Sequence, residues 1–83
     1  PAVAIDVGGY IQTLMLAMNA FGVSCCAQAT LRNYPNIVRK EFNIDKSIKI
    51  LVGISFGYED KSVLANKTRI NRADINENVV FKF

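Results

Sequence analysis

Apolar residues fall on nearly every side of the first helix that this sequence predicts. Asp6 is a candidate N-cap, and the run from Val7 to Phe21 closes on Gly22. Within it, Tyr10, Ile11, Leu14, Met15, Leu16, Ala17, Met18, Ala20 and Phe21 leave no broad polar face. A helix apolar all round must be covered on all sides. The rest of the chain offers too little material to do that, so the pattern implies a large partner surface, from further polypeptide, a second subunit, or both.

The pattern changes after Gly22. Val23 to Thr30 is rich in small residues and reads as extended or irregular, with side chains that let a backbone approach a ligand or another backbone. Asn33-Tyr34-Pro35 opens a second helix, because proline suits a first helical turn. Ile37, Val38 and Phe42 mark its buried stripe, Arg39, Lys40 and Glu41 face water, and Asn43 is its stop. The nearly continuous apolar run Ile50 to Ile54 predicts a strand covered on both faces, and Gly53 and Gly57 mark bulging or close approach. A polar loop follows from Glu59 to Asn66. The end, Val79-Val80-Phe81-Lys82-Phe83, carries a short strand signal that needs a sheet edge to join.

With 83 residues the chain makes at most one small domain, yet 51% of it is hydrophobic and 10% aromatic. That excludes disorder and resembles the interior of something larger. The formal charge of +3 suits an anionic ligand such as a phosphate, and without a block of like charges it is weak support for nucleic acid. Phe21, Phe42, Phe56 and Phe81 read as core rather than as a base-stacking surface. No histidine is present, which removes Ser–His and Cys–His catalysis and imidazole zinc sites. No metal ligand set is assigned.

Cys25 and Cys26 are adjacent, so they close no loop, and a reducing, cytoplasmic setting is the default expectation. No signal peptide is visible. The start at Pro1 without methionine is compatible with cleavage, truncation or processing. Tyr10 to Val23 is interrupted by Gln12, Thr13 and Asn19 and is too short to span a bilayer.

Lys67-Thr68-Arg69, with Arg72 shortly after, is the best local candidate for chemistry. Lysine brings a point charge, arginine a bidentate fork and threonine a hydroxyl, a set that suits a phosphate monoester. A solvated loop has the same composition, and the residues alone leave both readings open. Vicinal thiols lack the spacing of a redox pair, Glu59-Asp60 reads as solvated, and Gly8-Gly9 lacks a dinucleotide fingerprint's spacing.

Taken together, three segments resemble the nitroreductase family of FMN flavoproteins. Asp6 to Ala17, followed by Phe21-Gly22, is similar to the family's long central helix and its terminating glycine. Ser24-Cys25-Cys26-Ala27-Gln28-Ala29 is similar to a second segment, in which many relatives have proline where Ala27 stands. Gly53 to Asp60, continuing through Ala65-Asn66-Lys67-Thr68-Arg69 to Arg72, is similar to a third.

The resemblance implies an α+β (α/β sandwich) fold, of which residues 1–83 form the C-terminal portion. It also implies a homodimer with the long helix in the interface, or a complementary N-terminal segment, and a C-terminal arm reaching the other protomer. Ala27, Gln28 and Ala29 are then expected beside the isoalloxazine ring. Lys67 and Arg69 are expected on the FMN phosphate, with Arg72 assisting. The implied chemistry is two-electron transfer from NAD(P)H through flavin N5 to nitroaromatic or quinone-like acceptors, with no catalytic side chain assigned here. The family's N-terminal arginine- and serine-rich segment has no counterpart in these residues, so the chain is expected to hold only part of the FMN site. The alternative is a truncated or split-gene remnant without activity of its own.

Overall fold

The helix that was expected to begin after Asp6 begins five residues earlier. In a computed structural model describing residues 1–83, helix α1 spans Ala2–Ala20, with Pro1 at its N-cap and Asp6 inside the helix. Ile5 N–H already donates to the Pro1 carbonyl at 3.0 Å, so the alanines at positions 2 and 4 extend the helix past the polar residue that would have capped it. Its other end matches the expectation. Gly22 adopts φ +78°, and its N–H donates to the Asn19 carbonyl while Val23 N–H donates to that of Met18. This paired arrangement satisfies the last carbonyls and requires a left-handed residue, hence glycine.

Strand β1 (Ser24–Gln28) pairs antiparallel with β2 (Gly53–Gly57), so that Ser24 lies opposite Gly57 and Gln28 opposite Gly53. The second strand is therefore displaced from the expected Ile50–Ile54. Beyond Gln28 the chain tightens into a 3-10 turn at Ala29–Asn33, and residues 50–52 have no edge left to pair with. Leu31, in that turn, packs over Gly53, where an added Cβ would overlap its side chain. The close approach read from Gly53 is real, whereas a Cβ at Gly57 would meet open space. Gly53→Val is expected to destabilise the fold by about 1–3 kcal/mol through overpacking, measurable as a lower denaturation midpoint in the folded assembly.

Helix α2 (Pro35–Phe42) has Pro35 in its first turn and ends at Asn43, left-handed at φ 52°, while Ile44 N–H donates back to the Arg39 carbonyl at 2.9 Å. Arg39 does not simply face water. Its Nε and Nη2 both donate to the Ile48 carbonyl, at 3.1 and 2.9 Å, and Nη1 donates to Asn36 Oδ1, pinning the connector to β2 against the helix. Further on, a 3-10 turn at Leu64–Lys67 precedes a short helix, α3 (Ile75–Asn78). Asp74 caps α3 by accepting from Asn76 N–H at 2.9 Å. The residues from Val79 to Phe83 form no strand and join neither open edge of the two-stranded sheet; Phe81 and Phe83 stack, with ring centroids 6.2 Å apart.

One side of α1 packs against β1. Val7, Ile11, Leu14, Met15 and Met18 are half-buried, and the Cys25 thiol lies 3.9 Å from the Met15 carbonyl. At 3.6 residues per turn, Ile5, Gly9, Leu16 and Ala20 come round to the opposite side, where nothing in the chain covers them. No residue is fully buried. Phe21, Phe42, Phe56 and Phe81, read from the sequence as core, are 86, 72, 70 and 58% exposed, since the chain's own elements do not reach over them. Of the α2 stripe, Val38 is half-buried, whereas Ile37 and Phe42 stand open. The radius of gyration is 16.4 Å, against about 12 Å for a compact domain of this length. No helix is long and apolar enough to cross a membrane.

Candidate functional site

The loop leaving β2 is held in shape by its own polar groups. Asp60 Oδ1 accepts from Ser62 N–H at 2.9 Å and from Ser62 Oγ at 2.6 Å, and the Asp60 carbonyl accepts from Asn66 Nδ2 at 2.8 Å. Val63 N–H closes onto Asp60 and Asn66 N–H onto Val63. Asn66 is half-buried, and its carbonyl in turn accepts from Arg69 Nη1 at 2.7 Å. Asn66 thus ties the start of the loop, through its side-chain amide, to Arg69 at its end, through its backbone carbonyl.

Hydrogen bonds from the Ser62 hydroxyl, then from the Ser62 backbone, hold the Asp60 carboxyl below its usual range, outweighing a small desolvation effect. Ser47 does the same for Asp45. A depressed carboxyl pKa contributes order that is present above the ordinary carboxylate range and is lost as pH falls through the folded-state value. Acidification below that range is therefore expected to lower the protection factor of the Ser62 amide, taken against its intrinsic exchange rate at each pH, before that of the β1–β2 ladder, as followed by hydrogen exchange.

Two open recesses flank this loop. The larger, about 530 Å³, lies between the Ser24 end of the ladder and the loop, with Cys26, Phe56 and Tyr58 in its wall and Thr68 on its floor. The smaller, about 370 Å³, is lined without any apolar residue by Glu59, Lys61, Asn66, Lys67 and Arg69. Thr68 is extended (φ −66°, ψ 130°), which turns its side chain into the larger recess and leaves Lys67 and Arg69 together in the smaller.

Of the expected site residues, the structure brings Lys67 and Arg69 into one recess. It places Arg72 apart, with Nη1 3.5 Å from the Ile70 carbonyl. Ala27 and Gln28 lie in β1 opposite Ile54 and Gly53, Ala29 starts the following turn, and none of the three lines either recess. Ser24, at the loop's end of the ladder, is four positions from Gln28, a separation of about 14 Å at a strand's rise per residue. In a two-stranded ladder the outer edge of β1 leaves backbone N–H and C=O groups unpaired, so Ala27 to Ala29 can contact a ligand through the main chain.

The donor set in the smaller recess fits a phosphate. Arg69 Nη1 is held by the carbonyls of Asn66 and Thr68, and Nη2 lies 3.9 Å from Glu59 Oε1. With the Arg69 side chain 75% exposed, that ion pair is worth about 0–1 kcal/mol and is readily exchanged for a doubly charged anion. Glu59 and Lys61 were not singled out as ligand-facing from sequence. No periodic spacing links them to Lys67, and only the turn closed by Asn66 brings them beside it.

The profile described as the nitroreductase family matches residues 1–58, which include α1 and the β1–β2 ladder. Nitroreductase NfnB of Mycolicibacterium smegmatis is 47% identical over 79 residues, which is 95% of this chain and 33% of that protein. A 4-nitrobenzoate reductase of Nocardioides sp. is 36% identical, over 93% of this chain and 31% of its own length. Among solved structures, FMN-dependent NfnB from Mycobacterium smegmatis in complex with NADPH superposes with a TM-score of 0.91 at 46% identity, covering 98% of this chain and 36% of that one. The chain therefore spans about a third of the length of these relatives. The α1 helix, its glycine stop, the antiparallel ladder and this match over most of the chain lead to one conclusion: the chain belongs to the nitroreductase family and has the corresponding part of its α+β fold.

Proposed function

We propose that this chain is the C-terminal portion of an FMN-dependent oxidoreductase of nitroreductase type. The proposed reaction moves two electrons from NAD(P)H to a nitroaromatic or quinone-like acceptor. The observation that carries the reading is the likeness, at 46% identity over 98% of the chain, to a nitroreductase described as FMN-dependent and solved with NADPH. The apolar-free recess holding Lys67 and Arg69 gives it a chemical basis within the chain itself.

In this reading Lys67 and Arg69 hold the FMN phosphate, and Arg72 assists from the extended segment that follows. Backbone groups of Ala27, Gln28 and Ala29 lie along the isoalloxazine edge, with Ala27 standing where many relatives have proline. Bound FMN supplies the redox chemistry at N5, and the protein positions it and tunes its charge. No side chain of this chain is assigned a proton-transfer role.

The uncovered faces of α1 and the absence of any fully buried residue support assembly as a homodimer or with a complementary N-terminal segment. The terminal aromatic segment from Val79 onward fits an arm that reaches a foreign edge. Two free thiols fit a reducing, cytoplasmic setting. The test is steady-state oxidation of NADH and NADPH by the complete assembly, with a nitrobenzoate and a benzoquinone offered in turn. Acceptor-dependent turnover supports the reading. A folded assembly that oxidises neither nucleotide with either acceptor supports a remnant of the fold without activity.

A further inference from the structure

The smaller recess contains one cation more than the two already assigned. Lys61 stands with Lys67 and Arg69 on its wall, and Glu59 is the only carboxylate among its lining residues. The neighbouring Asp60 carboxylate is occupied by Ser62 and lines the other recess. Three cations against one carboxylate leave the recess with a formal charge of +2. A phosphate monoester carries about −1.5 to −2 at neutral pH, so the recess matches that charge only if Lys61 is counted. Without it, the Glu59 carboxylate, 3.9 Å from Arg69, would leave a single uncompensated cation.

We propose that Lys61 is a third phosphate-binding residue, offsetting Glu59 so that Lys67 and Arg69 are both available to a phosphate-monoester dianion. The position of Lys61 is set by the turn in which Asn66 Nδ2 and Val63 N–H both donate to the Asp60 carbonyl, at 2.8 and 3.2 Å. That turn folds the Glu59–Lys61 segment back beside Lys67, six residues further along the chain. The inference rests on the flavin-phosphate reading above for its choice of ligand. The same chemistry also occurs in the 2′-phosphate of NADPH, and the two sources are separable.

The test compares Lys61→Gln and Lys61→Arg with the unaltered protein, all in the complete assembly. Affinities for FMN and for riboflavin, which lacks the phosphate, are measured by flavin fluorescence at two salt concentrations, and KM is measured for NADPH and NADH. Removing a screened but ligand-facing charge is expected to weaken FMN binding about fivefold and to flatten its salt dependence. Riboflavin affinity should be unchanged, and arginine at this position should restore FMN binding. A loss confined to NADPH relative to NADH would assign Lys61 to the 2′-phosphate instead, which retains the phosphate-monoester role. Equal losses for FMN and riboflavin, or unaltered affinities throughout, overturn the proposal while leaving the flavin reading in place. An unaltered, folded assembly that binds neither flavin overturns both.

Discussion

Leu16→Asp is expected to prevent formation of a flavin-competent assembly while leaving α1 helical. Leu16 is 61% exposed in the isolated chain and points away from the half-buried stripe that contacts the sheet. Its helical neighbours, three and four residues away, are Gln12, Thr13, Asn19 and Ala20, with no cation among them to pair with a carboxylate. If this face is buried by a second subunit or by the rest of the fold, an unpaired carboxylate there costs about 3–5 kcal/mol. That is a large fraction of the net stability of a typical domain. Light scattering after size exclusion should show a lower mass or aggregation, with flavin lost in parallel. A variant that assembles to the same mass with full flavin content would show that this side of α1 is solvent-facing in the working protein.

Replacing Lys67 and Arg69 together by glutamine is expected to weaken FMN binding roughly a hundredfold or more. Hydrogen bonds to charged groups contribute about 1.5–3 kcal/mol each, and the substitutions remove two such donors from one recess. The Arg69 contacts to the Asn66 and Thr68 carbonyls are local and exposed, so folding should suffer little from their loss. Riboflavin again separates the effects: a similar loss for both flavins would mean that the loop had been disordered rather than a phosphate contact removed.

The parts of the fold governed by local rules were legible in the sequence. Gly22 ends α1 because only a left-handed residue completes its terminal hydrogen bonds, and Asn43 does the same for α2. Pro35 opens α2 for an equally local reason. The parts that depend on where another segment lies were not. The second strand falls at Gly53–Gly57 rather than at the more apolar Ile50–Ile54, because Ser24–Gln28 sets where pairing is possible. Val79–Phe83 carries a strand pattern yet pairs with neither β1 nor β2. Arg39 looked solvent-facing by helical position, but its guanidinium reaches the Ile48 carbonyl nine residues on. Asp74, followed three residues later by Glu77, carries a local helix-start signal for α3.

The site shows the same division. Lys67 and Arg69 were identifiable as a pair because the chemistry of a cation, hydroxyl and cation within three residues is visible in any order of reading. Their separation from Thr68 into different recesses follows from one extended residue. The presence of Glu59 and Lys61 beside them follows from a turn stitched by Asn66, which no periodicity encodes. The all-round apolar helix was legible too, and its meaning is the same in the structure: the chain carries surface that it cannot cover by itself.

The most direct measurement is the visible absorption spectrum of the natively purified complete assembly, followed by chromatographic identification of any cofactor released on denaturation. Flavin bands that yield FMN in about one equivalent per site are the expected result. A folded, colourless assembly that also fails to take up added FMN would contradict the flavoenzyme reading of this chain.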